Sequence, residues 1–272
     1  GYWMLDEAGW EASDALLRFL EAGDAPVFIG FGSMPIPDPA ATTRLILEAL
    51  QRSGKRGLLH AGWARLGGVE LPDSVFCLDY APYGWLFPRM AAIIHHGGSG
   101  TTGFALRSGV PSMVVPFTAD QPFWGRRTCE LGVGHTPIPF AKLTSDHLAA
   151  AIKIMTTNRD MQRQAVELRD EVSYLDALKE NSYTAFQQYL QKYPNSMRAT
   201  EAKNRYEKLL FEEKTRDRKL KSYQVFVEQY PASPYLPQVH QQIFEIVTAS
   251  GQPEDFLQYL AAYPTSPMAA QA

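Results

Sequence analysis

Short apolar runs alternate with amphipathic stretches along the first 172 residues of the chain. Each run is five or six residues long, a length typical of buried strands, and the intervening stretches repeat leucine and isoleucine at helical spacing. Strands are predicted at 26–31, 57–61, 74–78, 90–94 and 111–115, and helices at 15–21 and 40–53. This alternation predicts an α/β fold with a Rossmann-like parallel sheet, whose ligands bind beyond the carboxyl ends of the strands.

The fourth predicted strand is followed by two histidines and a glycine-rich turn. His95 and His96 precede Gly97 and Gly98, and a helical pattern opens at Thr101. Glycines let a ligand come close to the backbone, while the free N–H groups and the dipole of a helix N-terminus attract an anion. The stretch therefore predicts a phosphate site.

Two kinds of ligand could carry that phosphate. Residues 98–103 satisfy G-x-G-x-x-G, the dinucleotide fingerprint, with Asp120 about 20 residues beyond it. That fingerprint normally lies in the first strand–helix unit, whereas another unit precedes this one. Asp120 and Gln121, after the next predicted strand, offer acceptor oxygens and an amide donor to sugar hydroxyls. A nucleoside diphosphate sugar is the favoured ligand, and a nicotinamide dinucleotide is the alternative.

The composition of the chain changes near residue 172. Beyond it Gly251 is the lone glycine, and a phrase ending in Tyr-Pro recurs, with its prolines at 194, 231 and 264. These spacings of 37 and 33 residues are typical of tetratricopeptide-like helix pairs. We predict a nucleotide-sugar donor-binding domain at 1–172 and tetratricopeptide-like helical repeats at 173–272. The Asn, Ser or Thr after each Tyr-Pro can cap the next helix.

Composition narrows the function classes. The formal net charge is -3, so the chain lacks the excess of basic residues that is typical of nucleic-acid-binding proteins. No apolar run approaches the roughly 18 residues of a transmembrane helix. Two cysteines in apolar surroundings favour reduced thiols and a cytoplasmic protein, with a peripheral position at a membrane as the alternative.

The residues from His95 to Gly125 resemble the donor-binding signature of inverting GT-B glycosyltransferases, in the subgroup that acts on sterols, other lipids or glycopeptide aglycones. The resembling parts are His-His-Gly-Gly-Ser-Gly-Thr-Thr from His95, Arg-Ser-Gly-Val-Pro from Arg107, and Asp-Gln-Pro-Phe-Trp-Gly from Asp120. Residues 30–34 are similar to the turn after the first strand of that domain. Residues 1–6 are similar to the segment that enters the domain from the preceding one. The resemblance covers roughly residues 1–172.

The resemblance implies a role for each site residue. His96 would donate to the donor's diphosphate, while His95 is as consistent with packing as with function. Gly98, Gly100, Thr101 and Thr102 would offer backbone N–H groups and threonine hydroxyls to the phosphates, and Ser33 would close the cradle from the other side. Asp120 and Gln121 would hold sugar hydroxyls, and Asp120 could also cap the following helix. No metal and no cofactor are expected.

The resemblance further implies a UDP-dependent hexosyltransferase that uses UDP-glucose and a lipid, sterol or other aglycone acceptor. Its general base is expected in an N-terminal domain preceding Gly1, so we expect no turnover by this chain alone. The alternative is a repeat-based scaffold that binds a protein partner and carries a nucleotide-sugar module. The join near residue 172 is consistent both with a genuine fusion and with an artificial one.

Overall fold

The computed structural model describes residues 9–62 and 64–270, which divide into two units between Val172 and Ser173. The predicted entry segment at 1–6 lies outside the described residues. Each unit has hydrophobic clusters of its own. Within the described ranges, no helix has the length and apolar character needed to cross a bilayer.

The first unit is built on a six-stranded parallel sheet. Its strands are β1 Val27–Gly30, β2 Gly57–His60, β3 Val75–Leu78, β4 Ala92–His95, β5 Ser112–Val114 and β6 Gly134–His135. They lie in the order β3-β2-β1-β4-β5-β6, which is the order of a doubly wound nucleotide-binding sheet. The predicted α/β fold with a Rossmann-like parallel sheet is confirmed.

Helices cover both faces of this sheet. They are α1 Asp14–Glu21, α2 Pro39–Ser53, α3 Tyr83–Leu86, α4 Ser99–Ser108, α5 Gln121–Glu130, α6 Ser145–Thr157 and the start of α7 Arg159–Glu180. Successive residues of a strand point to opposite faces. Accordingly Ile29 packs in the cluster that includes α2 and α6, while Phe28 packs in the cluster that includes α1, α3 and α4.

The ends of α2 follow from local hydrogen bonding. Asp38 accepts the Ala41 N–H at 2.8 Å, and Pro39 occupies the first helical position, where a missing N–H costs nothing. Gly54 ends the helix in the left-handed region at φ +65°, which a glycine adopts without strain. These two caps set the ends of α2, the helix that follows the loop after β1.

The second unit is helical. It contains the end of α7, then α8 Tyr183–Lys192, α9 Ala199–Lys214, α10 Leu220–Gln229, α11 Leu236–Val247 and α12 Pro253–Ala262. Helices α8, α10 and α12 end at the tyrosine before each repeated proline: Tyr193, Tyr230 and Tyr263.

The residues after Tyr-Pro are predicted to be able to cap the next helix, but the structure gives α9 and α11 other N-cap residues. The N-cap residues of α9 and α11 are Arg198 and Tyr235. The Ser196 hydroxyl instead bonds the Tyr189 hydroxyl at 2.7 Å, and Ser266 bonds Tyr259 in the same way at 2.6 Å. These serines therefore tie each loop back to the helix before it.

Candidate functional site

Three loops meet at the carboxyl edge of the sheet, where β1, β4 and β5 are neighbours. Gly30 at the end of β1 pairs with His95 at the end of β4, and His95 pairs with Val114 on β5. The loops that follow these strands hold Ser33, His96 and Asp120. The edge between β1 and β4 is also where the strand order reverses, the usual place for a ligand in an open α/β sheet.

The His96 imidazole is held between two glycine turns. A Cβ atom on Gly32 would lie 2.7 Å from the imidazole Cε1, and one on Gly98 would lie 2.5 Å from Nε2. Gly32 also has φ +59°, which disfavours a side chain. Both positions therefore require glycine if the imidazole is to keep its place.

His96 retains hydrogen-bonding capacity for a ligand. Its Nδ1 is buried and has no hydrogen-bond partner in the part of the chain that the structure describes. Burial lowers the pKa of His96, so the neutral ring, with one N–H donor, is the main form near neutral pH.

The N-terminus of α4 lies beside His96, so close that a Cβ atom on Gly98 would collide with the imidazole. Gly98 is the N-cap residue and contributes no capping side chain. The Thr102 N–H donates to the Gly98 carbonyl at 2.9 Å, which closes the first turn. The N–H groups of Ser99, Gly100 and Thr101 precede this bond and have no acceptor within the helix. They carry the positive end of the helix dipole.

Thr102 is placed differently from the prediction. Its hydroxyl donates to the Gly98 carbonyl at 2.9 Å, the same oxygen that accepts its N–H, and the residue is 1 % exposed. Both of its donors are therefore engaged inside the first turn. Thr101 is half-buried, whereas Gly100 and Ser33 are exposed at the predicted edge.

Gln121 is also placed differently, because it braces the loop before α5. Its Oε1 accepts the N–H groups of Phe117 at 2.7 Å and Thr118 at 3.1 Å. Its Nε2 lies 3.3 Å from the sulfur of Met34, and the residue is 5 % exposed. The carboxamide thus shapes the loop that carries Asp120. A direct contact of Gln121 with a sugar stays a prediction.

Asp120 is exposed at the predicted edge. It stands at the N-cap position of α5 without making a capping bond. Its Oδ2 accepts the indole N–H of Trp124 at 2.7 Å instead. The preceding Ala119 has φ +55°, a left-handed conformation that is strained for alanine. Trp124 was not singled out from the sequence, although its spacing of four residues from Asp120 is the spacing of helix-surface neighbours.

His95 is the last residue of β4 and is fully buried. Its Nδ1 accepts the Gly97 N–H at 3.1 Å, and its Nε2 has no partner among the described residues. Burial, followed by the neighbouring His96, lowers the pKa of His95 to about 3. His95 is therefore a neutral ring that accepts a hydrogen bond from the backbone two residues later.

Residues 60–176 match the erythromycin biosynthesis protein CIII-like, C-terminal domain. The chain is 42 % identical over 184 residues to sterol 3-beta-glucosyltransferase UGT80A2 of Arabidopsis thaliana, covering 66 % of this chain and 29 % of the relative. It is 40 % identical over 185 residues to a sterol 3-beta-glucosyltransferase of Komagataella phaffii, covering 63 % and 15 %. The chain thus spans less than a third of the length of these relatives.

Among solved structures, the chain is similar to the glycosyltransferase SnogD from Streptomyces nogalater. The TM-score is 0.48 and the sequences are 26 % identical. The match covers 62 % of this chain and 44 % of SnogD.

Proposed function

Because its α/β unit is the C-terminal, donor-binding domain of a GT-B glycosyltransferase, we propose that the site beside His96 binds the diphosphate of UDP-glucose. One observation carries this proposal. An imidazole with an unpartnered buried nitrogen stands next to an uncapped helix N-terminus, at the edge where the strand order reverses. An anion at this place would accept bonds from the imidazole and from the first N–H groups of α4.

These residues would act on the leaving group of the reaction. When an acceptor hydroxyl displaces the diphosphate with inversion at the anomeric carbon, negative charge grows on the phosphate oxygens. The Ser99, Gly100 and Thr101 N–H groups and the His96 imidazole would stabilise that charge. Ser33, exposed on the loop after β1, would add a hydroxyl from the opposite side. No metal ion is required in this scheme.

Asp120 would hold the sugar. Trp124 occupies its Oδ2, which leaves Oδ1 to accept a sugar hydroxyl. Because the indole N–H fixes the orientation of the carboxylate, little side-chain freedom would be lost when the sugar binds. Gln121 would act mainly by shaping the loop, with its carboxamide N–H as the group left to meet the sugar.

The acceptor proposal rests on the relatives, which are named sterol 3-beta-glucosyltransferases. We propose a sterol or similarly hydrophobic alcohol as the acceptor of the whole enzyme. The general base that activates this hydroxyl would come from outside the α/β unit, so the residues described here would bind the donor without transferring the sugar. Residence in the cytoplasm, with peripheral contact to a membrane, fits an acceptor of this kind.

Calorimetric titration of the chain with UDP, UDP-glucose and NAD tests the donor site. We expect UDP and UDP-glucose to bind and NAD to give no signal. His96→Ala should weaken UDP binding about tenfold to a hundredfold, the loss expected for one hydrogen bond to a charged group. Ser99→Ala is the matched control, because it removes an exposed side chain from the same turn and keeps the N–H. Unchanged affinity in His96→Ala would contradict the assignment.

The second unit supports a second proposal, a protein-interaction module of tetratricopeptide-like repeats. Helices α8, α10 and α12 end in the same way, and the Tyr189–Ser196 hydroxyl pair recurs as Tyr259–Ser266. Stacked repeats of this kind usually present a binding surface. Reversing the charge of Lys214 and Lys221, which line one surface cavity of about 220 Å³, should abolish capture of a partner and leave UDP affinity unchanged. Loss of UDP binding in that variant would contradict the proposal that the first unit binds UDP and the second binds the partner.

A further inference from the structure

We propose that His95 is a positioning residue of the donor site, whose Nδ1 holds the Gly97 N–H and thereby sets the turn that presents His96 and the α4 N-terminus. The inference rests on the proposed donor site. It assigns a role to the first of the two adjacent histidines, which is fully buried. The bond from Gly97 to His95 Nδ1 is 3.1 Å long and fully buried.

The direction of this bond determines the tautomer of His95. Gly97 supplies the hydrogen, so Nδ1 must carry a lone pair and the ring hydrogen must reside on Nε2. That Nε2–H has no acceptor among the residues that the structure describes. The His95 pKa of about 3 is consistent with a ring that stays neutral and keeps its acceptor over the pH range of most enzymes.

Gly97 has little freedom to move without affecting its neighbours. Its φ of +92° is a glycine conformation, and a Cβ atom there would lie 2.5 Å from Val114 Cγ1 and 3.2 Å from Gln121 Cβ. The backbone of the turn is thus pressed against β5 and against the residue that braces the Asp120 loop. A bond that fixes Gly97 therefore acts on both the phosphate side and the sugar side of the site.

His95 also ties the two strands together through its main chain. Its carbonyl accepts the Val115 N–H at 2.8 Å, which continues the pairing of β4 with β5 into the loop. The next residue, His96, packs closely against the turn. A Cβ atom at Gly98 would lie 2.5 Å from His96 Nε2, so the position of the imidazole depends on the position of Gly98. A shift of the turn would displace the imidazole from the place at which it meets the diphosphate.

Three substitutions of His95 separate positioning from packing. The amide oxygen of His95→Asn falls where Nδ1 lies and can accept the Gly97 N–H, whereas the amide of His95→Gln falls near Nε2, and His95→Phe has no acceptor. We expect UDP titration of the 272-residue chain to give wild-type affinity for His95→Asn. The other two variants should bind about tenfold more weakly, the effect of one lost hydrogen bond. A thermal melt of each variant reports whether the fold is kept.

The tautomer gives a readout that does not depend on UDP. Nitrogen NMR of the wild-type chain should show His95 as the Nε2–H tautomer from about pH 5 to 8, and slowed exchange of the Gly97 amide that His95→Phe abolishes. An Nδ1–H tautomer, titration within that range, or equal affinity of His95→Asn and His95→Phe would overturn the proposal. If the wild-type chain fails to bind UDP, the donor-site proposal fails, while the NMR result still decides whether His95 holds the turn.

Discussion

Gly98→Ala should damage the donor site through a single contact. Gly98 has φ −59° and ψ 141°, values that alanine adopts freely, so the backbone does not oppose the change. The added methyl group would lie 2.5 Å from His96 Nε2, whereas ordinary contact begins at 3.4 Å. The imidazole must therefore move by about 0.9 Å, the difference between these two distances.

A displacement of this size is enough to break a hydrogen bond. If His96 contributes a bond to the diphosphate, its loss is worth about 1.5–3 kcal/mol. We expect Gly98→Ala to weaken UDP binding by about 2 kcal/mol, or roughly thirtyfold in Kd. The backbone N–H donors of the turn are all retained, so the loss would report on the imidazole rather than on the helix N-terminus.

A double-mutant cycle with His96→Ala tests this reasoning. Once the imidazole is gone, the Gly98 methyl group has nothing to displace, so the double variant should bind UDP as the His96→Ala single variant does. The coupling energy should then be close to the whole effect of Gly98→Ala, about 2 kcal/mol. Additive losses in the calorimetric Kd values would refute the argument, since they would mean that the methyl group acts on something other than His96.

Three further predictions concern buried polar groups. The pKa of His95 is about 3 in the folded chain and 6.5 for the free side chain. As the pH falls below 7, His95 therefore takes up a proton in the unfolded chain but not in the folded one, which favours unfolding. Acidification from pH 7 to about 5 should therefore remove about 2 kcal/mol of unfolding free energy, and urea titrations of His95→Asn should lack this part of the loss. Gln121→Ala should lower the unfolding free energy by about 1–3 kcal/mol, because the Phe117 and Thr118 N–H groups lose their acceptor; an unchanged urea midpoint would show that the loop needs no brace. Tyr259→Phe should cost at least about 1 kcal/mol, because it removes the hydroxyl that bonds Ser266 at 2.6 Å and the His240 carbonyl at 3.3 Å; an unaltered melt would mean that these bonds contribute nothing.

The strands and helices of the first unit could be predicted from the apolar pattern. The predicted runs at 26–31 and 57–61 became β1 Val27–Gly30 and β2 Gly57–His60, and the run at 90–94 became β4, shifted to Ala92–His95. Buried parallel strands read as continuous apolar runs, so the pattern is strong wherever both faces of the sheet are covered. The shift at β4 arises because His95 is buried like its apolar neighbours, which residue type alone does not indicate.

Hydrogen-bond partners could not be predicted in the same way. Thr102 and Gln121 have side chains suited to a ligand, yet the structure engages them with the Gly98 carbonyl and with the Phe117 and Thr118 N–H groups. Ser196 and Ser266, which follow the first and third Tyr-Pro pairs, likewise bond a tyrosine hydroxyl. Ser233, which follows the second pair, donates to Glu207 at 3.4 Å and accepts the Tyr235 N–H at 3.3 Å. A sequence indicates which donors and acceptors are present, but the choice among nearby partners depends on distances of a few tenths of an ångström.

The glycines of the site explain why a small number of side chains is sufficient for the proposed chemistry. Gly32 and Gly98 leave room for the His96 imidazole, and Gly97 leaves room for Val114 and Gln121. At each of these positions a larger residue would collide with the neighbouring group. Donors held in this way are oriented before the ligand arrives and require little reorganisation when charge develops on a leaving diphosphate. Adding a methyl group at Gly32 or Gly98 would displace the oriented His96 imidazole. Removing the exposed Ser33 hydroxyl would leave every other donor in place. We therefore expect either glycine substitution to weaken binding more than Ser33→Ala does.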